Sequence, residues 1–422
     1  MLLKIVLLFG TMFILMMIGS PIAVSLGAAT IVTMVATTSI GTTTIATACF
    51  SGLDSFPLLA IPFFILAGNL MKSGGISRRL LDFADALVGH FTGSVGMVTV
   101  VASMFFAALS GSSPATVTSI GSITIPEMKE KGYDADYATA LTAAAGTIGV
   151  IIPPSIPFVI YGVTSGASIA DLFLAGVIPG IMIGLVLMAV NYFSAKKHGY
   201  DTKKQFHVAT LWKAFKDAIW ALLVPIIILG GIYGGIFTPT ESAVAGIIYS
   251  LIVGVFVYKE LDAKKIYEAV RETVLVNGQT TFLVGISMAF ARFLTMSQVP
   301  STIAGTIIGI DNKILVLLVI NLFLLIVGCF IDNISSTVIL TPILLPIVTG
   351  FGMDPVHFGI VMTVNLAIGF ITPPYGCNLF FASAIAGVPI DRIAARIIPM
   401  ILALIAVLML LTFIPALSLA LL

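Results

Sequence analysis

The sequence predicts an all-α polytopic membrane protein of two inverted-topology repeats, each with five crossings, one broken helix and one re-entrant hairpin. Three observations carry this expectation. Only 9% of the 422 residues are charged and 59% are hydrophobic, whereas a soluble domain holds about 25% charged residues. A shift of 220 residues superposes Gly132 on Gly352, Asp134 on Asp354, Gly149 on Gly369, Pro153-Pro154 on Pro373-Pro374, Asp171 on Asp391 and Pro179 on Pro399. The lysines and arginines collect in segments that one topology places on a single side of the membrane.

Taken in order, apolar runs of spanning length fall at roughly 1–19, 22–48, 56–71, 137–165 and 172–194 in the first half. Those of the second half fall at 218–237, 240–258, 273–294, 358–386 and 397–420. The first run could pass for a signal peptide, but apolar sequence continues from Pro21 without a cleavage motif, which favours a membrane helix. Two further apolar pairs, 94–125 and 314–345, carry a polar tip. Their second arms, 115–125 and 336–345, hold about ten residues, roughly 15 Å of helix against a core of about 30 Å. They are too short to cross and are expected to re-enter. The predicted organisation is therefore a first repeat over 1–194, a basic linker over 195–217 and a second repeat over 218–422. Five crossings per repeat turn the second copy upside down, which is a plan of secondary transporters.

If the N-terminus starts outside, the inside segments are 72–91, 126–136, 195–217, 259–271 and 387–396, and they hold 17 of the 20 Lys and Arg residues. Cytoplasmic loops carry such an excess, so the first hairpin is expected to enter from the cytoplasm and the second from the opposite side. The linker, with Lys196, Lys197, Lys203, Lys204, Lys213 and Lys216, reads as a cytoplasmic segment facing lipid headgroups. Residues 76–90 alternate Arg78, Arg79, Asp82 and Asp85 with Leu80, Leu81, Phe83 and Leu87, an amphipathic stretch suited to the interface.

Glycines, prolines and hydroxyls at membrane depth survive only where they line a polar cavity or bind something. At each tip two helices end and leave backbone groups without partners; the facing broken helix leaves another set. Freed carbonyls with Ser and Thr hydroxyls suit a small hard cation. One such cage would use Ser110, Gly111, Ser112 and Ser113 with Gly146, Gly149 and Pro153; the other, Asp332, Asn333, Ser335 and Ser336 with Gly369, Thr372 and Pro373. Plainer roles compete. Ser112-Ser113-Pro114 and Asp332-Asn333 could simply cap helices. Glu241, after Thr238-Pro239-Thr240, reads as first-turn dipole compensation. Arg292 either snorkels to an interface or attracts the charge of a substrate.

The stretches Ser110-Gly111-Ser112-Ser113-Pro114-Ala115-Thr116, Gly149-Val150-Ile151-Ile152-Pro153-Pro154-Ser155 and Ile371-Thr372-Pro373-Pro374-Tyr375-Gly376 resemble the large membrane subunit of tripartite ATP-independent periplasmic (TRAP) transporters. The likeness extends over essentially the whole chain, including Gly19-Ser20-Pro21-Ile22-Ala23 and Phe64-Ile65-Leu66-Ala67-Gly68. It implies sodium-coupled import of an organic acid, of the sialic acid or C4-dicarboxylate class, across the bacterial inner membrane. It also implies two partners, a small four-helix membrane subunit and a periplasmic substrate-binding protein, and an elevator motion that carries both hairpins. Sodium would sit in the two cages, and Ser110, Ser112, Ser155 and the region of Asp332 would face the substrate carboxylate.

Other classes fit poorly. No basic stripe with interleaved aromatics suits nucleic acid, and no nucleotide-binding loop of the Gly-x-x-x-x-Gly-Lys-Ser/Thr type occurs. Cys49, Cys329 and Cys377 lie far apart, and no His or Cys clusters with the cage residues. A transition metal is therefore not expected; sodium is the metal that the resemblance implies, with no organic cofactor and no enzymatic activity expected. A self-sufficient sodium-dicarboxylate carrier is the near alternative. A membrane subunit of a redox or proton-pumping complex is a remote one, since the spans lack acids and lysines in series.

Overall fold

A computed structural model describes residues 2–38, 41–200, 205–299 and 312–422, and it is helical throughout these residues. Met1, Ser39, Ile40, Lys203 and Lys204, named above or within predicted spans, lie outside the described residues. Eight helical stretches among those described are long and apolar enough to cross a membrane.

The first half begins with α1 (Leu2–Met17) and α2 (Ile22–Thr37). The run expected as one span over 22–48 is instead two helices: α2 ends at Thr37, with Thr38 extended, and α3 (Thr43–Leu53) follows. Gly41 and a stretch of threonines supply the break. A 3₁₀ turn at Phe56–Leu59 leads into α4 (Ala60–Ser73), and the amphipathic α5 (Ile76–Val88) buries Ile76, Leu80, Leu81 and Ala84 on one side. Two helices joined at a sharp tip follow, α6 (Ser94–Ser110) and α7 (Ser113–Glu130), then α8 (Ala135–Gly146), a 3₁₀ turn at Thr147–Val150, the short α9 (Ile156–Ser165) and α10 (Ile169–His198).

The second half opens with α11 (Val208–Tyr233), α12 (Pro239–Ile252) and the 34-residue α13 (Ala263–Met296). It then repeats the later series: α14 (Lys313–Phe330), α15 (Asn333–Gly350), α16 (Pro355–Gly369), a break, α17 (Cys377–Ala386) and α18 (Ile390–Phe413), with a final turn α19 (Ala416–Leu419). Local punctuation matches between the two series. Gly132 and Gly352 hold φ of +82° and +74°, a left-handed conformation that glycine adopts without steric cost. Asp134 and Asp354 then cap α8 and α16 by accepting from the backbone N–H of Asp136 (3.1 Å) and Val356 (2.8 Å). Both proline pairs, Pro153-Pro154 and Pro373-Pro374, are joined by cis peptide bonds.

The hairpin arms depart from expectation. Each second arm was read as about ten residues, yet α7 and α15 run 18 residues apiece, about 27 Å of helix. Pro126, Pro342 and Pro346 lie inside these helices rather than ending them, and neighbouring helices re-satisfy the backbone groups that a proline frees. The linker expected over 195–217 is likewise shorter as a loop. α10 runs to His198 and α11 begins at Val208, so helix covers both of its ends.

The five basic segments meet at one end of the molecule. Arg79 pairs with Glu260 at 2.8 Å and lies over the Tyr258 ring at 3.7 Å, joining 72–91 to 259–271. His90 packs on Phe206 (centroids 5.0 Å apart), and Tyr200 stacks on Tyr133 (4.4 Å). Arg392 and Arg396 pair with Asp136 and Asp134 at 3.0 and 2.8 Å. A single chain of contacts therefore runs through every segment on which the charge pattern rests.

Helices α8 and α16 sit at the centre, buried over Asp136–Gly146 and Val356–Gly369. A helix buried on all sides must be surrounded by others. The two hairpins surround them crosswise: α7 of the first half packs on α17 of the second, and α15 of the second packs on α9 of the first. Outside this core, α1–α4 and α11–α13 form a second bundle. Its contacts include α4 with α12, α4 with α13 and α2 with α13.

Candidate functional site

The first tip forms because Gly111 ends α6 at φ +59° and Ser112 returns to extended backbone before Pro114 restarts a helix. It lies directly on the broken helix. The N–H of Ile156 reaches the Gly111 carbonyl at 3.3 Å. A methyl group at Gly111 would come within 2.6 Å of the Pro154 carbonyl oxygen, and one at Gly149 within 2.6 Å of the Ser112 carbonyl oxygen. Ser113, fully buried, donates to the Gly146 carbonyl at 2.8 Å. Thr116 donates to the Ser112 carbonyl at 2.9 Å and sits 3.3 Å from the Ser110 hydroxyl. The residues expected in the first cage are thus brought together around the Gly111–Ser113 tip and the Gly146–Pro154 break. Ser112 is the residue before α7, but its hydroxyl makes no cap hydrogen bond.

Asn378 is a member that sequence reasoning did not anticipate. It stands in the first turn of α17, just after the second break, and donates to the Ser113 hydroxyl at 2.8 Å and to the Ala143 carbonyl at 3.0 Å. Its amide therefore ties the first tip to the other half of the chain. The available signal was a buried amide two residues after Gly376, inside an apolar segment.

At the second tip Asp332 is the N-cap of α15, accepting from the Ser335 N–H at 3.1 Å and from the Ser335 hydroxyl. Thr337 donates to the side-chain oxygen of Asn333 at 3.1 Å. The Ser336 hydroxyl and the Asn333 amide nitrogen are buried without a protein partner, as are the Thr363 hydroxyl and Asn365 Oδ1 on the neighbouring α16. The arm before the tip touches the second break closely. A methyl group at Gly369 would fall 2.4 Å from the Gly328 carbonyl carbon, and Phe330 packs on Tyr375 with centroids 5.7 Å apart. Thr372, beyond Gly369, donates to the Ile368 carbonyl at 2.9 Å, and Pro373 follows it into the cis pair.

Two expected substrate residues are placed differently. Ser155 is fully buried, donates to the Val150 carbonyl at 2.6 Å and caps α9 by accepting from the Phe158 N–H. Arg292 lines a separate cavity of about 580 Å³ between the outer bundle and the hairpin core, and neither tip contributes to that lining. Glu241 stands in the first turn of α12, as expected, and completes a capping box with Thr238. No cluster of His, Cys, Asp and Glu suited to a metal occurs among the described residues, and the three cysteines are free.

The arrangement offers buried carbonyls and hydroxyls at two helix breaks, each faced by a hairpin tip. It can bind small ions or polar groups, and it gives transport a physical basis. Comparisons with known proteins bear on the fold and the family. By fold, the chain resembles the Alcanivorax borkumensis YdaH transporter (TM-score 0.62, 16% identity, 88% of this chain and 87% of that one). It also resembles Neisseria gonorrhoeae MtrF (TM-score 0.61, 14% identity, 88% and 84%). By sequence, it is 48% identical over 97% of its length to the isethionate TRAP transporter permease protein DctMQ of Oleidesulfovibrio alaskensis, of which it spans 65%. It is 40% identical to the sialic acid TRAP transporter large permease protein SiaM of Vibrio cholerae, covering 96% of each. It is 36% identical to the C4-dicarboxylate TRAP transporter large permease protein DctM of Rhodobacter capsulatus, covering 98% of each. Residues 9–417 match the family model described as the DctM component of the tripartite ATP-independent periplasmic transporter. The chain is a multi-pass membrane protein of that family.

Proposed function

We propose that the chain is the ion-coupled membrane subunit that imports a small organic acid, with sodium held at the two tip-and-break cages. The observation that carries this reading is the buried link from the Ser113 hydroxyl to the Gly146 carbonyl and the Asn378 amide. It joins one tip to both breaks. Together with the crosswise packing of α7 on α17 and α15 on α9, it makes the hairpins and broken helices one body. Such a body can slide against the outer bundle as an elevator. Spare oxygen capacity supports sodium at the second cage, where the Ser336 hydroxyl is buried and unpartnered; hard cations take oxygen ligands.

On this reading the basic end is cytoplasmic, the N-terminus is periplasmic, the two halves are inverted copies with re-entrant hairpins, and the membrane is the bacterial inner membrane. The partners are a small four-helix membrane subunit and a periplasmic binding protein that delivers the anion. Relatives named for isethionate, sialic acid and C4-dicarboxylates support a small organic oxyanion as the substrate class. Coupling needs no nucleotide. One net positive charge moving inward gains about 2.3 kcal/mol per 100 mV, and at about 1.4 kcal/mol per factor of ten that is roughly fifty-fold accumulation.

The test is uptake of labelled isethionate, succinate and sialic acid in proteoliposomes that contain the chain, its small subunit and its binding protein. Accumulation should follow an inward sodium gradient and collapse when that gradient is dissipated. Uptake by this chain alone would favour a self-sufficient carrier. Uptake indifferent to sodium would overturn the coupling.

A further inference from the structure

Arg292 and its cavity are not explained by the two cages. The cavity holds about 580 Å³, within the range of small-molecule sites. Its walls come from both bodies: α3 and α13 of the outer bundle, and α9 and α15 of the hairpin core, the last through Pro342. Among the described residues Arg292 is the one charged side chain of the lining, and five hydroxyls, from Thr44, Thr47, Ser51, Thr164 and Thr295, surround the same space. No carboxylate lies within ion-pair distance of Arg292 among the described residues. A guanidinium facing a polar cavity without a counter-charge offers a forked set of donors that fits a carboxylate or sulfonate bidentately.

Position gives the cavity its direction. α13 starts at Ala263, at the end where the basic segments meet, and Arg292 lies 29 residues further along, about 44 Å away. The cavity therefore lies toward the opposite end. Pro342 lies ten residues beyond Asp332, and Thr164 nine beyond Ser155. Each is about 14–15 Å of helix from the tip or break. An anion in this cavity would be one short step outside the cages.

We propose that the Arg292 cavity is an outer capture site for the small organic oxyanion, occupied before the anion reaches the hairpin tips. This rests on the transport reading above and adds a second, earlier site to it. Because the walls belong to both bodies, sliding of the core would reshape the cavity and release the anion inward.

Two measurements test it. In the reconstituted complex, Arg292→Gln should raise the uptake KM at least tenfold with kcat changed less than twofold, and Arg292→Lys should recover part of the loss. An unchanged KM in Arg292→Gln would overturn the proposal. Independently of uptake, Ser51→Cys in a background lacking Cys49, Cys329 and Cys377 should react with a membrane-impermeant thiol reagent added from outside. Isethionate, succinate or sialic acid should slow that reaction in sodium-free buffer, and Arg292→Gln should abolish the protection. Absence of protection by all three anions, or protection that survives Arg292→Gln, would sink the capture site. Failure of sodium-driven uptake in the unsubstituted complex would instead count against the transport reading, and the labelling result would still decide the site.

Discussion

The contact between Ser113 and Asn378 spans 265 positions of sequence and is the most direct test of a shared body. Asn378→Ala removes two donated hydrogen bonds, to the Ser113 hydroxyl at 2.8 Å and to the Ala143 carbonyl at 3.0 Å. At about 0.5–1.5 kcal/mol net for each, the loss is about 1–3 kcal/mol, or roughly five- to 150-fold in an equilibrium constant. Ser113→Ala removes the donation to Gly146 at 2.8 Å and the same shared bond, so its cost falls in the same range. The shared bond is counted in both single variants but lost only once in the double. A double-mutant cycle should therefore give a coupling of about 0.5–1.5 kcal/mol. The readout is the apparent sodium dissociation constant of the purified protein, measured by sodium-dependent thermal stabilisation. If the single effects multiply in the double variant, with coupling below about 0.3 kcal/mol, the two halves bind sodium independently and the reasoning fails. An unchanged sodium constant in both single variants would remove the first cage altogether.

Other substitutions separate the second cage and the scaffold. Gly369→Ala places a methyl group 2.4 Å from the Gly328 backbone and must push α14 from α16, whereas a methyl group at Gly230 meets nothing within 4 Å. The first should lower the melting temperature sharply and reduce sodium stabilisation. Gly230→Ala, in the interior of α11, should raise stability by up to about 1 kcal/mol, and equal melting temperatures for the two would contradict the close approach. Asp332→Asn keeps an N-cap for α15 but removes the charge, so folding should persist while the sodium requirement weakens or uptake is lost; an unaltered sodium titration would leave Asp332 as a cap alone. Arg396→Ala breaks a pair whose side chains are 48% and 29% exposed, and it should cost about 0.2–1 kcal/mol, less in high salt. Arg392→Ala strands an Asp136 carboxylate that is only 12% exposed, so it should destabilise more than Arg396→Ala; a reversed order would refute that ranking.

Much of the architecture was legible because its signals are local. Gly132, Asp134, Gly352 and Asp354 recur in one register, and Pro153-Pro154 and Pro373-Pro374 announce breaks through nearest-neighbour sterics. Single-sided charge placement was equally readable, and the contacts of Arg79, His90, Tyr200 and Arg392 gather those segments at one end. Helix limits were harder. Pro126, Pro342 and Pro346 carry the same local signal as the breaking prolines, yet helices α7 and α15 continue through them. The run over 22–48, counted as one apolar span, falls in two helices, one ending at Thr37 and the next beginning at Thr43.

By itself the sequence determined that this chain lives in a membrane, that it carries two similar series of helices, and that each series is interrupted at its proline pair. These depend on composition and on residues within a turn of one another. Tertiary structure alone decided that the first tip is also tied to the second half of the chain, because Asn378 is brought to Ser113, and Gly328 to Gly369, by packing rather than by spacing. It also decided that Ser155 is a buried cap and that Arg292 opens onto a cavity walled by both bodies. An arginine's neighbours in space depend on how four helices from distant parts of the chain close around it, and hydrophobic periodicity fixes which face of a helix is buried but not against what.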